Sequence, residues 1–141
     1  MRRRLFVGAA AQARLVPLYQ GTETPEEGLD SLSAGLLPCL PLSIVLLGMG
    51  EDMHTASLFP GADKLAEGLA SDAPPILAMR APGAPEPRVT LTAPVLSAAL
   101  ATHVVITGRG KRDAIERAQA LSPIEAPISV VLDRATVHWA E

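Results

Sequence analysis

The segment Leu42-Ser43-Ile44-Val45-Leu46-Leu47 is almost continuously apolar and runs straight into Gly48-Met49-Gly50-Glu51-Asp52-Met53-His54. A strand with one wet face alternates apolar and polar residues. A run without alternation predicts a strand buried on both faces, as in a parallel sheet flanked by helices. Open sheets of that kind place ligands outside the carboxyl ends of their strands, so the glycine-bearing loop after Leu47 is the first candidate site. Thr102-His103-Val104-Val105-Ile106-Thr107 repeats the pattern, ending at Gly108 and Gly110.

Helical signals alternate with these strands. Thr24-Pro25-Glu26-Glu27 opens a helix: Thr24 suits the cap, proline the first turn, and the two acids the positive dipole end. Leu29, Leu32, Leu36 and Leu37 form its apolar stripe, and Pro38 and Pro41 end it. Further helices are expected over Thr55–Phe59, 93–100, 111–120 and 128–132, the third with Ala114, Ile115 and Ala118 on its buried side. Arg14–Tyr19, Ile76–Arg80, Arg88–Thr92 and Thr136–Trp139 read as short strands. Ala81-Pro82-Gly83-Ala84-Pro85-Glu86-Pro87 reads as a loop. The sum is one domain over 1–141: a three-layer, Rossmann-like α/β/α arrangement with a mainly parallel sheet.

Composition excludes several classes. With 48% hydrophobic and 19% charged residues, 141 residues make one cored domain. Aromatics are 3%, too few for base-stacking platforms, and the net charge of -3 comes without a basic stripe or an acidic tail. No nucleic-acid partner is implied. No apolar run is long enough to span a bilayer, so no membrane role is implied either. A single cysteine, Cys39, permits no internal disulfide and no cysteine-based zinc cluster, and points to a reducing compartment. Cys39 itself reads as a small buried hydrophobe. The start Met1-Arg2-Arg3-Arg4-Leu5-Phe6-Val7, with Ala11-Gln12-Ala13, has the outline of a signal peptide, but its apolar part is short and alanine-rich. The competing reading is the end of a helix. Oligomeric state is not legible.

The loop after Leu47 combines three chemical capacities. Its glycines allow close approach of backbone to a ligand. A helix start near Thr55–Ser57 would offer free N–H groups to an anion. Asp52 and His54 put a carboxylate beside an imidazole, a pair suited to acid–base work near neutral pH. Taken alone, these have plainer explanations: a glycine pair after a strand is common, and a lone histidine is more often a surface or satisfied residue than a catalyst. Elsewhere, Arg88 can pair with Glu86 at the surface, and Lys111 can be a solvated first-turn residue. His103, His138 and Trp139 read as structural.

The stretch Gly48-Met49-Gly50-Glu51-Asp52-Met53-His54-Thr55-Ala56-Ser57-Leu58-Phe59-Pro60 closely resembles the G-x-G-x-D-G-H-x-A-S-L-F-P motif of the 6-phosphogluconolactonases. These share a superfamily with the glucosamine-6-phosphate deaminases and isomerases. Arg88-Val89-Thr90-Leu91-Thr92 resembles that family's R-[VI]-T-[LM]-[TS], and Gly108-Arg109-Gly110-Lys111 its G-x-x-K after a strand. Thr24-Pro25-Glu26-Glu27 also fits, and Leu58-Phe59-Pro60 favours the lactonase branch. The resemblance implies opening of a phosphorylated sugar δ-lactone in the oxidative pentose phosphate route, in the cytoplasm, without metal or organic cofactor. It implies His54 as general base, Asp52 as its orienting partner, Arg88 and Lys111 as phosphate anchors, and Gly48 and Gly50 as lining of the sugar pocket.

The chain departs from the family pattern twice. The family's G-G-[ST] phosphate loop and D-E-R motif are not found here, so the resemblance implies a C-terminal portion of the family domain. Its sheet would be incomplete at the N-terminus, Met1–Leu5 would be the tail of a preceding helix, and activity would be impaired. A catalytically dead sugar-phosphate-binding remnant and an amino-sugar-phosphate isomerase or deaminase are the alternatives. Met53 also stands where the family has glycine, which implies a backbone position needing positive φ, or space for ligand; otherwise Met53 is simply a packing residue.

Overall fold

The computed structural model describes residues 2–141. A short helix α1 (Arg2–Leu5) is followed by a 3-10 turn over Gly8–Gln12 and irregular chain, and then a 3-10 turn over Pro25–Gly28 feeds α2 (Leu29–Leu36). Met1 of the expected helix tail lies outside the described residues. β1 (Ile44–Leu47), α3 (Leu65–Leu69), β2 (Ile76–Ala81) and β3 (Ala84–Leu91) follow, then α4 (Ala93–Ser97) and β4 (Ala101–Thr107). The chain ends with α5 (Arg109–Ala118), α6 (Ser129–Leu132) and β5 (Ala135–Ala140). The α/β class with a parallel sheet is as expected: β1, β4 and β5 form a three-stranded parallel sheet in the order β1-β4-β5.

One face of that sheet carries the core. Val45, Leu47, Val104 and Ile106 point into a cluster completed by Leu58 and Met79, by Leu96 of α4, and by Ala114, Ile115 and Ala118 of α5. The small residues on α5 let the helix lie close to β4. The strand after Pro41 was expected to be buried on both faces, and this is corrected: it alternates, with Ile44 68% and Leu46 71% exposed. The apolar run is there, but among the described residues no second layer covers that side. Val105 is also exposed there. His103 and His138 lie side by side on the same face, Nδ1 to Nε2 3.0 Å.

Other expectations change for local reasons. Arg14–Tyr19 is irregular rather than a strand. Pro17 removes a ladder donor, and side chains hold the segment instead: Leu18 packs with Leu32, Leu36 and Ile76, and Arg14 Nη2 donates to the Gly35 carbonyl at 3.3 Å. Cys39 is exposed, not buried; Arg14 Nη2 lies 3.4 Å from its sulfur. The supposed loop 81–87 is mostly strand. β2 and β3 form an antiparallel hairpin of two strands, with an irregularity between Met79 and Ala81. Pro85 and Pro87 are tolerated because β3 pairs on one side only, so a missing N–H can face outward. Thr24 donates to the Glu27 carboxylate at 2.9 Å and makes no side-chain cap to backbone.

An ion cluster ties the start of α2 to the hairpin. Arg80 Nη1 and Nη2 donate to Glu26 Oε1 and Oε2 at 2.6 and 3.1 Å, while Asp63 Oδ1 accepts the Arg80 backbone N–H at 2.8 Å. The hydrogen bond from Arg80, and then a backbone bond, hold the Glu26 carboxyl below its ordinary 4.5. A lowered carboxyl stabilises the fold above the ordinary range, and that contribution disappears as pH falls through the lowered value. Glu26→Gln should therefore melt below wild type at neutral pH, with the gap closing in acid. A gap that stays constant from neutral to acidic pH would show that the ionised pair contributes nothing.

Candidate active site

The loop that leaves β1 is built around one carboxylate. Asp52 Oδ1 accepts the backbone N–H of His54 at 3.3 Å and stands 2.6 Å from His54 Nδ1. The first bond is the side-chain turn typical of aspartate two residues before its donor. It explains why an Asp-x-His spacing puts the imidazole on its own carboxylate. An ionised carboxylate can only accept, so Nδ1 donates, and in the neutral ring Nε2 is then the nitrogen with the lone pair. Backbone bonds close the loop: Met53 N–H to the Gly50 carbonyl at 3.0 Å and Gly50 N–H to the His54 carbonyl at 3.2 Å. Buried Thr55 donates its hydroxyl to the Gly48 carbonyl at 3.0 Å.

Gly50 is demanded by packing. A Cβ there would collide with Asp52 Oδ1 and His54 Nδ1. Met53 combines two features that the sequence set against each other. Its φ is +65°, the region that favours glycine, and its side chain is buried in the main core. The Met53 carbonyl accepts the Ile128 N–H at 3.0 Å, which pins the loop to the segment before α6.

The expected helix over Thr55–Phe59 is absent. Leu58 N–H bonds the Thr55 carbonyl at 2.9 Å in a tight turn, with Ala56 at φ +51°. The anion-binding helix start proposed for Thr55–Ser57 goes with it: the Ser57 N–H is donated to Thr90 Oγ1 at 3.1 Å. The turn instead swings Phe59 beneath the imidazole. The two rings stack with centroids 4.0 Å apart and planes 28° apart. Sequence reasoning missed this contact, although Phe59 is one of only two phenylalanines and sits five residues after the histidine.

Of the six residues singled out, four line one open cleft of about 380 Å³: Gly48, Gly50, His54 and Lys111. Lys111 arrives there on the first turn of α5, whose start is held by the Trp139 indole N–H on the Gly108 carbonyl at 2.9 Å. Asp52 joins through His54. Arg88 does not open into this cleft. It lines a neighbouring cavity of about 450 Å³ with Ser57, Glu86 and Tyr19. Among the described residues it makes no ion pair with Glu86 or any other acid, and its guanidinium carbon lies 5.9 Å from the Phe59 ring centre.

The chain is thus a parallel α/β domain that presents a histidine–aspartate pair and a lysine at the carboxyl end of its strands. The model of the family described as glucosamine-6-phosphate isomerases/6-phosphogluconolactonase matches residues 1–139, and the chain belongs to that family. It is 41% identical to a 6-phosphogluconolactonase of Rhizobium meliloti, covering 96% of this chain and 62% of that protein. It is 47% identical to the one of Mesorhizobium japonicum, covering 96% and 59%. A crystal structure of a 6-phosphogluconolactonase from Shewanella baltica superposes with a TM-score of 0.89 at 28% identity, over 98% of this chain and 61% of that one. The chain thus spans about three fifths of the length of the curated relatives it matches.

The two residues at positive φ should respond oppositely to glycine. Met53→Gly relieves roughly 1–2 kcal/mol of backbone strain but empties a core position worth roughly 2–5 kcal/mol. Its melting temperature should fall. Ala56 is exposed, so Ala56→Gly loses no packing and should melt at or above wild type. A rise for Met53→Gly would mean that the buried side chain contributes little.

Proposed function

We propose that the chain carries the hydrolytic centre of a 6-phosphogluconolactonase, opening 6-phospho-D-glucono-1,5-lactone to 6-phosphogluconate. The observation that carries this is that His54, its Nδ1 held by Asp52, lines one cleft with Lys111. The names of the curated relatives support the same chemistry. His54 Nε2 takes a proton from water as the water oxygen attacks the lactone carbonyl. Charge moves to the carbonyl oxygen, and on collapse the ring carbon–oxygen bond breaks. The imidazolium returns its proton to the departing ring oxygen. Asp52 stabilises the imidazolium while it exists. Lys111, with Arg88 from the neighbouring cavity, anchors the phosphate, and Gly48 and Gly50 leave room for the ring.

A cytoplasmic location is part of this proposal and rests on the family resemblance. Among the described residues no helix is long and apolar enough to cross a membrane. The G-G-[ST] and D-E-R motifs are not in this sequence. The family description also names glucosamine-6-phosphate isomerases, so glucosamine-6-phosphate is the control substrate.

Lactone opening followed by NMR should exceed the spontaneous rate, with no turnover of glucosamine-6-phosphate. His54→Gln should remove about 10²–10⁴-fold of the acceleration, the usual worth of a positioned base. An unchanged rate in a folded His54→Gln would overturn the assignment. Lys111→Ala should weaken 6-phosphogluconate binding and leave unphosphorylated gluconolactone nearly unaffected. Equal losses for both ligands would contradict the anchoring role.

A further inference from the structure

Asp52 holds the Nδ1 edge of the His54 imidazole, but one hydrogen bond at one edge still lets the ring rock about its Cβ–Cγ bond. The face of the ring has its own partner. Phe59 is 7% exposed, and its ring lies 4.0 Å centre to centre from the imidazole at an interplanar angle of 28°. Gly50 closes on the Nδ1 edge, where even a methyl group has no room. The phenyl ring is itself held from below: Phe59 follows Leu58, fully buried in the core, and precedes the Pro60-Gly61 turn.

We propose that Phe59 is the positioning residue of the site: its ring face sets the plane of the His54 imidazole, so that Nδ1 stays on Asp52, which selects the tautomer, and Nε2 is presented to the cleft in one orientation. This rests on His54 as the proposed base and adds the group that aims it. The imidazole is 28% exposed, so water reaches it from the cleft side while the phenyl ring covers the other. Edge and face constraints together leave one ring pose, where the carboxylate alone leaves a family of poses. A displacement of about 1 Å at a reacting atom costs on the order of 10²-fold in rate.

The test reads the ring directly. Long-range proton–nitrogen NMR of the intact chain distinguishes protonated from bare imidazole nitrogens, with His54→Gln to assign the signals and His103 and His138 on the open sheet face as internal references. Wild type should show one protonated and one bare nitrogen at His54, with nuclear Overhauser contacts from the imidazole to the Phe59 ring protons. Phe59→Leu should bring the two nitrogen signals together and broaden them, while Phe59→Tyr, which keeps the ring, should preserve them. Phe59→Met is the second variant, because methionine refills irregular space and keeps the fold where leucine does not. In the lactone assay the ring-lacking variants should lose about 10- to 100-fold in kcat with KM within about threefold, the signature of a lost orientation rather than lost binding.

Unchanged His54 nitrogen signals in a folded ring-lacking variant would overturn the proposal. Missing Overhauser contacts in the wild-type chain would overturn it whatever the variants do. If no form of the chain accelerates lactone opening while the nitrogen signals respond as stated, the lactonase reading fails and the positioning role stands.

Discussion

The parallel pairing of β1 with β4 is the constraint on which the rest depends. Ile44 to Leu47 run in register with Ala101 to Val104, so both strands run toward the same end of the sheet. Two glycine loops that lie far apart in sequence then become neighbours, one carrying Asp52 and His54 and the other Lys111. Antiparallel pairing of the same residues would put them at opposite ends. The third strand secures the second loop: Gly108 N–H bonds the Ala140 carbonyl at 2.9 Å, and the Arg112 guanidinium lies 4.9 Å from the Trp139 ring centre.

Within the first loop, local strain is accepted to place one imidazole. Met53 and Ala56 both take positive φ, each at a cost on the order of 1–2 kcal/mol. The core offsets part of that cost, since Met53, Thr55 and Leu58 are all buried around the histidine. Such strain persists only where surrounding structure over-determines the backbone, which is the usual situation at working sites. Rigidity of the loop and aim of the imidazole are therefore one property. The same buried residues that close the turn bring Phe59 against the ring.

Much of this was legible in the sequence because it is local. Leu42–Leu47 signals a strand by its apolar run, and Ala114, Ile115 and Ala118 signal the buried side of α5 by their spacing. The positive φ at Met53 was legible only through the glycine of the resembling motif. What was not legible depends on distant partners. Apolar sequence cannot tell whether a second layer covers Ile44 and Leu46. Prolines at 85 and 87 look like loop residues until β3 is known to pair on one side only. Thr55–Phe59 has a helical appearance, yet the Ser57 N–H is claimed by Thr90, thirty-three residues on. Arg88 and Lys111 both read as anchors, but the fold opens them to different cavities.

The central claim is that the cleft at the carboxyl ends of β1 and β4 receives the phosphorylated product with His54 at its reacting end. Titration of the isotopically labelled chain with 6-phosphogluconate, read by chemical-shift changes, tests it most directly. The account predicts saturable shifts centred on Gly48, Gly50, His54 and Lys111, with Arg88 joining only for the phosphorylated ligand. Shifts confined to the cavity around Tyr19 and Glu86, or no saturable shift at His54, would contradict it.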